Sequence, residues 1–359
     1  MKRRDFLTAT GAAVTTAAAG FAPAAIASKR RYRFEMVTSW PRTLKHLFGG
    51  AEFFAQRLNQ ITDGAVELTV HPAGAEVGAM EVYDAVSSGA FEFGHTAPYY
   101  YIGRSPAHGF FTAMPFGLTV SEQMAWMVSG NGQRLWDELN AADDLIAFPV
   151  GNTGPQTGGW FNKEINEPKD LRGLRMRFPG HGGRVMARAG VNIQQLPGGE
   201  VYMAMERGTL DAAEWVGPHD DEILNMHRVA KYYYLPSWAE PSAMLGVYIN
   251  RSIYSDLPGW IQHAIQAAAA EADRKMLADY MSDNPAALKR LIDHGVEVRT
   301  FSQEVLEVFE KGTQEVHTQD MRDRQYARIY EDWAAFRDKV RSWSGISDQL
   351  YQAFLYRDR

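Results

Sequence analysis

The chain of 359 residues contains no cysteine. That excludes a disulfide framework, a thiolate metal site and a cysteine nucleophile. No stretch beyond the N-terminus supplies the about 20 strongly apolar residues that a membrane-spanning helix needs. Positive charge is scarce as well: 37 basic residues stand against 43 acidic ones, for a net charge of −6. With no basic cluster beyond Lys29-Arg30-Arg31, binding to nucleic acid or to an anionic membrane is not expected. The sequence has no H-E-x-x-H, no G-x-S-x-G and no phosphate loop, and its ten histidines show no metal-ligand spacing. Hydrolase and metalloenzyme readings are therefore disfavoured.

What the N-terminus does carry is an export pattern. Lys2-Arg3-Arg4-Asp5-Phe6-Leu7 is a twin-arginine motif. An Ala/Thr/Gly run follows it, and Ala25-Ile26-Ala27 offers a small-residue cleavage site before Ser28. Residues 1–27 are read as a signal peptide, leaving 332 residues destined for the periplasm. Removing Lys2, Arg3, Arg4 and Asp5 leaves 34 basic against 42 acidic residues, or −8. A chain of that length exceeds what one hydrophobic core usually organises, so two lobes are expected.

Hydrophobic periodicity alternates between the strand and helix types. Strands are expected at residues 33–39, 66–71, 91–96 and 145–150, around Arg177 and around Glu214. Helices are expected at 44–61, 81–88, 121–140 (with Ser121 as its cap) and 183–189, with long ones at 259–280 and 302–340. Such alternation argues for an α/β fold of parallel sheets flanked by helices, with ligands bound at the carboxyl ends of strands. The lobes are placed at 28–149 and 150–248. Residues 249–359 are read as a return to the first lobe plus long helices and a C-terminal helical segment. A polar gap from His317 to Gln325 interrupts the apolar stripe of the last long helix. Ile329, Trp333, Phe336, Trp343, Tyr351, Phe354 and Tyr356 leave an apolar surplus near the C-terminus, which either packs back on the chain or forms a homodimer.

The richest stretch runs from Asp170 to Trp215. D-L-R-G-L-R-M-R-F-P-G (170–180) reads as a buried strand carrying Arg177, and E-R-G-T-L-D-A-A-E-W-V-G-P (206–218) as a strand ending in Glu214 and Trp215. Charge at the ends of apolar strands is costly unless it is paired or ligated. A guanidinium grips a carboxylate with two parallel hydrogen bonds, so Arg177 is the candidate anchor for an anionic ligand; pairing with a protein carboxylate is the plainer alternative. The Gly-rich loop 151–161 follows a strand end and offers Asn152 and Gln156. Asp220, Asp221 and Glu222 are expected to favour a helix N-terminus and face solvent. Glu240, in the turn Trp238-Ala239-Glu240-Pro241, is either an extra cation ligand or a solvated loop carboxylate. The segment Phe93 to Tyr101 should supply cleft walls: Thr96 and His95 sit at the strand end, and Tyr100 and Tyr101 are favoured over Tyr99 as ligand contacts.

L-R-G-L-R-M-R-F-P resembles the signature of the solute-binding proteins of TRAP transporters (tripartite ATP-independent periplasmic transporters, DctP type). With the 151–161 loop, E-W-V-G-P and Y-Y-Y-L-P-S-W (232–238), the likeness extends to the branch that binds α-keto acids. The resemblance implies a two-lobed periplasmic solute-binding fold with the ligand cleft between the lobes. It further implies a 2-oxo acid such as pyruvate held by Arg177, with a sodium ion held by Gln156, Glu214 and the Trp215 carbonyl. Calcium, with lactate or another monocarboxylate, is the alternative. The implied partner is the membrane permease. His181-Gly182-Gly183 and Asn162 depart from the family pattern. A periplasmic metal-dependent enzyme acting on an oxo acid, with Glu214 or a histidine as base, is the competing class.

Overall fold

The computed structural model describes residues 31–357; the signal-peptide reading lies outside them. Among the described residues, eleven strands form two sheets: β1 (Tyr32–Thr38), β2 (Val66–His71), β3 (Phe93–Thr96), β4 (Leu145–Asn152), β5 (Gly159–Phe161), β6 (Arg175–Arg177), β7 (Asn192–Gln194), β8 (Ala212–Ala213), β9 (Tyr232–Leu235), β10 (Met244–Asn250) and β11 (Glu297–Thr300). The first sheet has the order β2-β1-β3-β10-β4 and the second β11-β9-β5-β8-β6-β7. The sheets are mixed, not parallel as the alternation suggested. β10 runs antiparallel to β3 and β4, and β5 antiparallel to β8 and β9. The reason is topological: a strand that returns from the other sheet without a crossover helix enters from the opposite end.

Two direct crossings join the sheets, at residues 153–158 and 236–243, and they run side by side. Thr153 N donates to the Ala243 carbonyl at 3.0 Å, Gln156 N to the Glu240 carbonyl at 3.1 Å and Gly158 N to the Tyr234 carbonyl at 2.7 Å. Glycines make the first crossing feasible, since Gly151, Gly154 and Gly159 all take positive φ (104°, 75° and 108°). A third crossing is the helix Gly259–Asp293, which runs on through Pro285. Its buried Ala264, Ala268, Ala269 and Ala272 allow close packing in the core beside Phe54 and Leu58 of the helix Leu47–Ile61. It delivers β11 to the second sheet, parallel to β9. The C-terminal third therefore contributes to both layers.

Helix boundaries follow local chemistry. The helix expected at 121–140 is two helices, Val120–Ser129 and Gly132–Asn140, divided at Gly130-Asn131. The N-cap is Thr119, in a capping box with Glu122, and not Ser121 as expected. The polar gap after His317 coincides with a real break. One helix ends at Asp320 and the next, Arg324–Ser344, starts where Asp323 accepts hydrogen bonds from Gln325 N and Tyr326 N. The apolar surplus is divided. Ile329 and Trp333 are buried in the first-layer core with Phe110 and Trp126, whereas Trp343, Tyr351, Phe354 and Tyr356 are exposed. Trp333→Ala should then cost about 3–5 kcal/mol of stability. Chemical denaturation would read this, and an unchanged midpoint would refute the packing role.

Candidate functional site

β6 and β8 pair in parallel with Arg177 opposite Ala213, so the two strands end together and set Arg177 beside Glu214. Glu214 N donates to the Arg177 carbonyl at 3.0 Å. Arg177 Nη1 in turn donates to the Glu214 carbonyl at 2.5 Å and to Glu214 Oε2 at 3.0 Å, while Nε donates to the Leu196 carbonyl at 3.3 Å. Both side chains are fully buried, at 0% exposure. The guanidinium lies over the Trp215 ring at 4.7 Å, a cation–π contact strengthened by desolvation. Gly198 makes room for that indole, since a Cβ there would stand 2.3 Å from it.

Three buried oxygens nearby have no hydrogen-bond partner: Glu214 Oε1, Gln156 Oε1 and Glu240 Oε1. Unpaired buried acceptors each cost about 1–3 kcal/mol, which a hard cation with an oxygen shell would offset. Gln156 Nε2 donates to Thr153 Oγ1 at 3.1 Å, which turns its amide oxygen the other way. Among the described residues, no donor is placed on the Trp215 carbonyl. Glu240 is 2% exposed, so the solvated-loop alternative does not hold for it. The Tyr99 hydroxyl donates to its Oε2 at 3.5 Å.

Electrostatics make the cluster unstable as a set of free charges. Burial pushes the Glu214 carboxyl well up and Glu240 adds to this, while Arg177 opposes both. Burial likewise pushes Glu240 up to about 8 against the pull of Arg177 and Tyr99. One arginine thus faces two buried carboxyls. We hold that it keeps Glu214, its direct partner, ionised, and that Glu240 takes a proton or a cation.

A narrow pocket of about 10 Å³ adjoins the cluster, lined by Trp40, Leu47, Ala97, Tyr99, Tyr100, Thr153, Gln156, Trp215, Val216 and Leu245. Of the residues expected here, Gln156, Trp215 and Tyr100 line it. Tyr101 does not: its hydroxyl bonds Thr96 and Tyr83 N inside the first-layer core, and Tyr99 takes its place at the cavity. Three consecutive residues of one tight helical turn, Pro98–Tyr101, cannot share a direction. Thr96 is spent on Ser39 Oγ (2.6 Å) and Tyr101. Asn152 is engaged at both ends, donating to Ser242 Oγ (2.9 Å) and accepting from Gly154 N (2.8 Å), so it shapes the crossing. His95 is a satisfied structural residue between Trp40 Nε1 and the Val150 carbonyl, both at 2.7 Å.

Asp220 and Asp221 also depart from expectation. They do sit in the first turn of the helix Pro218–Ile223, yet both are buried, held by Tyr280 and by Trp160 and Tyr233. Only Glu222 reaches outward, to Arg290. Trp40 and Leu47 went unnoticed in the sequence. Trp40 lies two residues past the end of β1, the strand-end position where ligand walls occur, and that was the available signal.

The whole chain can now be placed. Residues 36–323 match the model of bacterial extracellular solute-binding proteins, family 7 (DctP). The chain is 42% identical over 360 residues to a monocarboxylate 2-oxoacid-binding periplasmic protein of Nostoc sp., covering 99% of each. Among solved structures it matches a TRAP transporter solute-binding protein from Bordetella bronchiseptica with copurified calcium and picolinate in one site of a mixed-occupancy dimer. That match has a TM-score of 0.90, with 37% identity, 91% of this chain and 98% of the other. It also matches a TRAP periplasmic solute-binding protein from Pseudoalteromonas atlantica with bound sodium and pyruvate, at a TM-score of 0.87 and 34% identity over 90% of this chain and 99% of the other. The protein belongs to the DctP family of extracytoplasmic solute-binding proteins that serve TRAP transporters.

Glu240 generates a pH test. Its folded-state carboxyl titrates near 8, above the ordinary carboxyl range that applies in the unfolded chain, so the folded form binds the extra proton between these values. Stability of the cation-free protein should therefore fall as pH rises from about 5 to 8. Asp220 and Asp221, pushed up by burial to about 7 and about 6, act in the same sense. Thermal melts of Glu240→Gln should show a visibly flatter decline than wild type. Superimposable slopes would remove Glu240 from the titrating set.

Proposed function

We propose that this protein is the periplasmic receptor for a small 2-oxo acid of the pyruvate type, bound together with a metal cation and handed to the TRAP permease. The observation that carries this reading is the buried trio of partnerless oxygens on Gln156, Glu214 and Glu240 beside the Arg177 guanidinium. A 2-oxo acid presents a carboxylate oxygen and a keto oxygen in chelate geometry. In this reading Gln156, Glu214 and the Trp215 carbonyl hold the cation, and Glu240 completes its shell. Arg177 takes the ligand carboxylate, with Tyr99 and Tyr100 as walls. Sodium bound in the Pseudoalteromonas relative and calcium in the Bordetella relative support a cation of this hard, oxygen-seeking class.

Charge balance separates the two ions. Arg177, Glu214, Glu240 and a ligand carboxylate sum to −2 when all are ionised, which calcium neutralises. Sodium reaches neutrality only if Glu240 keeps its proton. Calorimetry in buffers of differing ionisation enthalpy should find proton release with calcium and none with sodium near pH 7. Arg177→Lys keeps a charge beside Glu214 but loses the planar fork, and should weaken pyruvate binding more than about tenfold, or ~1.4 kcal/mol. Gln156→Ala should lose cation dependence or fail to bind. Equal pyruvate affinity with and without both ions would sink the cation model.

The reading is of a receptor that performs no chemistry, so pyruvate followed by NMR should be bound and left intact; turnover would favour the enzyme class. Export by the twin-arginine route is proposed from Arg3-Arg4 and its flanks. The exposed face of Trp343, Tyr351 and Phe354 supports a homodimer through the C-terminal segment. Sedimentation should show a dimer that truncation after Val340 dissolves, and a monomeric full-length chain would refute it.

A further inference from the structure

Away from the cation cluster, two histidines and an aspartate from three separate elements meet. His46 precedes the helix Leu47–Ile61 of the first layer, His219 stands in the helix Pro218–Ile223 that leaves the second sheet, and Asp283 comes from the long helix Gly259–Asp293. One ligand-capable atom from each lies within 4.8 Å of the others. The two imidazoles stack with centroids 4.0 Å apart. His46 Nε2 is 3.0 Å from Asp283 Oδ2, and His219 Nδ1 is 4.0 Å from the same oxygen. Hydrogen bonding accounts for only part of this grouping. His46 Nε2 stands at hydrogen-bond distance from Asp283, whereas His219 Nε2 is buried without a partner. Stacked rings that share no proton with each other gain little from standing so close to one carboxylate.

We propose that His46, His219 and Asp283 form a site for a divalent transition metal of the zinc class, fastening the first layer to the second at the rim of the ligand cleft. Two imidazole nitrogens and a carboxylate oxygen are a donor set that zinc takes, with a fourth position left to water. Tetrahedral zinc ligands stand about 3.3 Å apart given bond lengths near 2.0–2.1 Å. Asp283 is half exposed and can turn toward the ion, and one imidazole must rotate out of the stack so that both in-plane lone pairs converge on it. Burial lowers the affinity of both histidines for protons, so each offers a lone pair at neutral pH. The position gives the metal a function. Leu47 follows His46 and lines the cavity, while Trp215 and Val216 line it on the chain leading to His219. A metal here is bound only when the two layers are apposed, and it stabilises that arrangement by mass action. The site uses nitrogen donors and none of the cleft residues, so it stands independently of the proposed ligand.

The test is a zinc titration of the full mature chain, free of any histidine tag, by competition with a chromogenic chelator. One zinc per chain is expected, with a rise in thermal midpoint, and cobalt should give the visible d–d bands of a low-coordinate nitrogen–oxygen site. His46→Ala/His219→Ala should lose more than about tenfold in affinity, together with the thermal shift and the bands. Asp283→Asn, at a half-exposed position, should weaken zinc in the same direction. An excess of calcium, which takes oxygen sites, should leave all three readouts unchanged. The proposal is overturned if wild type binds no zinc, if the double variant binds it as well as wild type, if no thermal shift accompanies binding, or if excess calcium displaces the zinc, which would put the metal in the cleft.

Discussion

A buried ion pair governs this molecule. Arg177 and Glu214 are removed from water entirely, and their attraction must offset a desolvation penalty of several kcal/mol for each ion. Two short parallel strands bring them together. β6 and β8 are adjacent with Arg177 opposite Ala213, so the backbone bond from Glu214 N to the Arg177 carbonyl and the side-chain bonds back again form one closed unit. The Trp215 ring beneath the guanidinium adds a polarisable surface where water is absent. Such a pair leaves one carboxylate oxygen over, and that oxygen, Glu214 Oε1, is buried without a partner.

The rest of the site follows from how the sheets are joined. Because residues 153–158 and 236–243 cross between layers as hydrogen-bonded neighbours, Gln156 and Glu240 arrive together although 84 positions separate them. Each then carries an unpaired oxygen into a buried region that already holds Glu214. A fold with a single crossing could present one of these groups. It takes two antiparallel crossings to present both.

Some of this was legible in the sequence. Arg177 and Glu214 were visible because a charge in an apolar strand is costly and so invites a reason, and Gln156 because glycines beside it signal close backbone approach. The resemblance supplied their separate roles, which spacing alone leaves open. Burial of Asp220 and Asp221 was not legible: a run of acids after Gly-Pro looks solvated, and only the distant Tyr280, Trp160 and Tyr233 explain it. Tyr101 was misassigned because three successive tyrosines carry no periodicity to say which one faces the cleft. Sheet direction was missed for a similar reason, since alternation of strands and helices does not reveal where the chain changes sheets. His46, His219 and Asp283 lie on three elements, and no spacing rule joins them.

The cavity walls complete the physical picture. Trp40, Leu47, Val216 and Leu245 are apolar, and they enclose a small volume beside a cluster whose polar atoms are almost all oxygens or guanidinium nitrogens. The pocket therefore offers fixed charge on one side and packing alone on the other. An apolar wall discriminates by only about 1–3 kcal/mol per methylene, whereas buried polar groups left unpaired reject a mismatched head far more strongly. Selectivity should accordingly be strict for the carboxylate and its neighbouring oxygen and lenient for the chain behind them. The unpaired oxygens of Glu214 and Glu240 follow the same logic: two buried carboxyls stand around one arginine, an arrangement that a cation would offset.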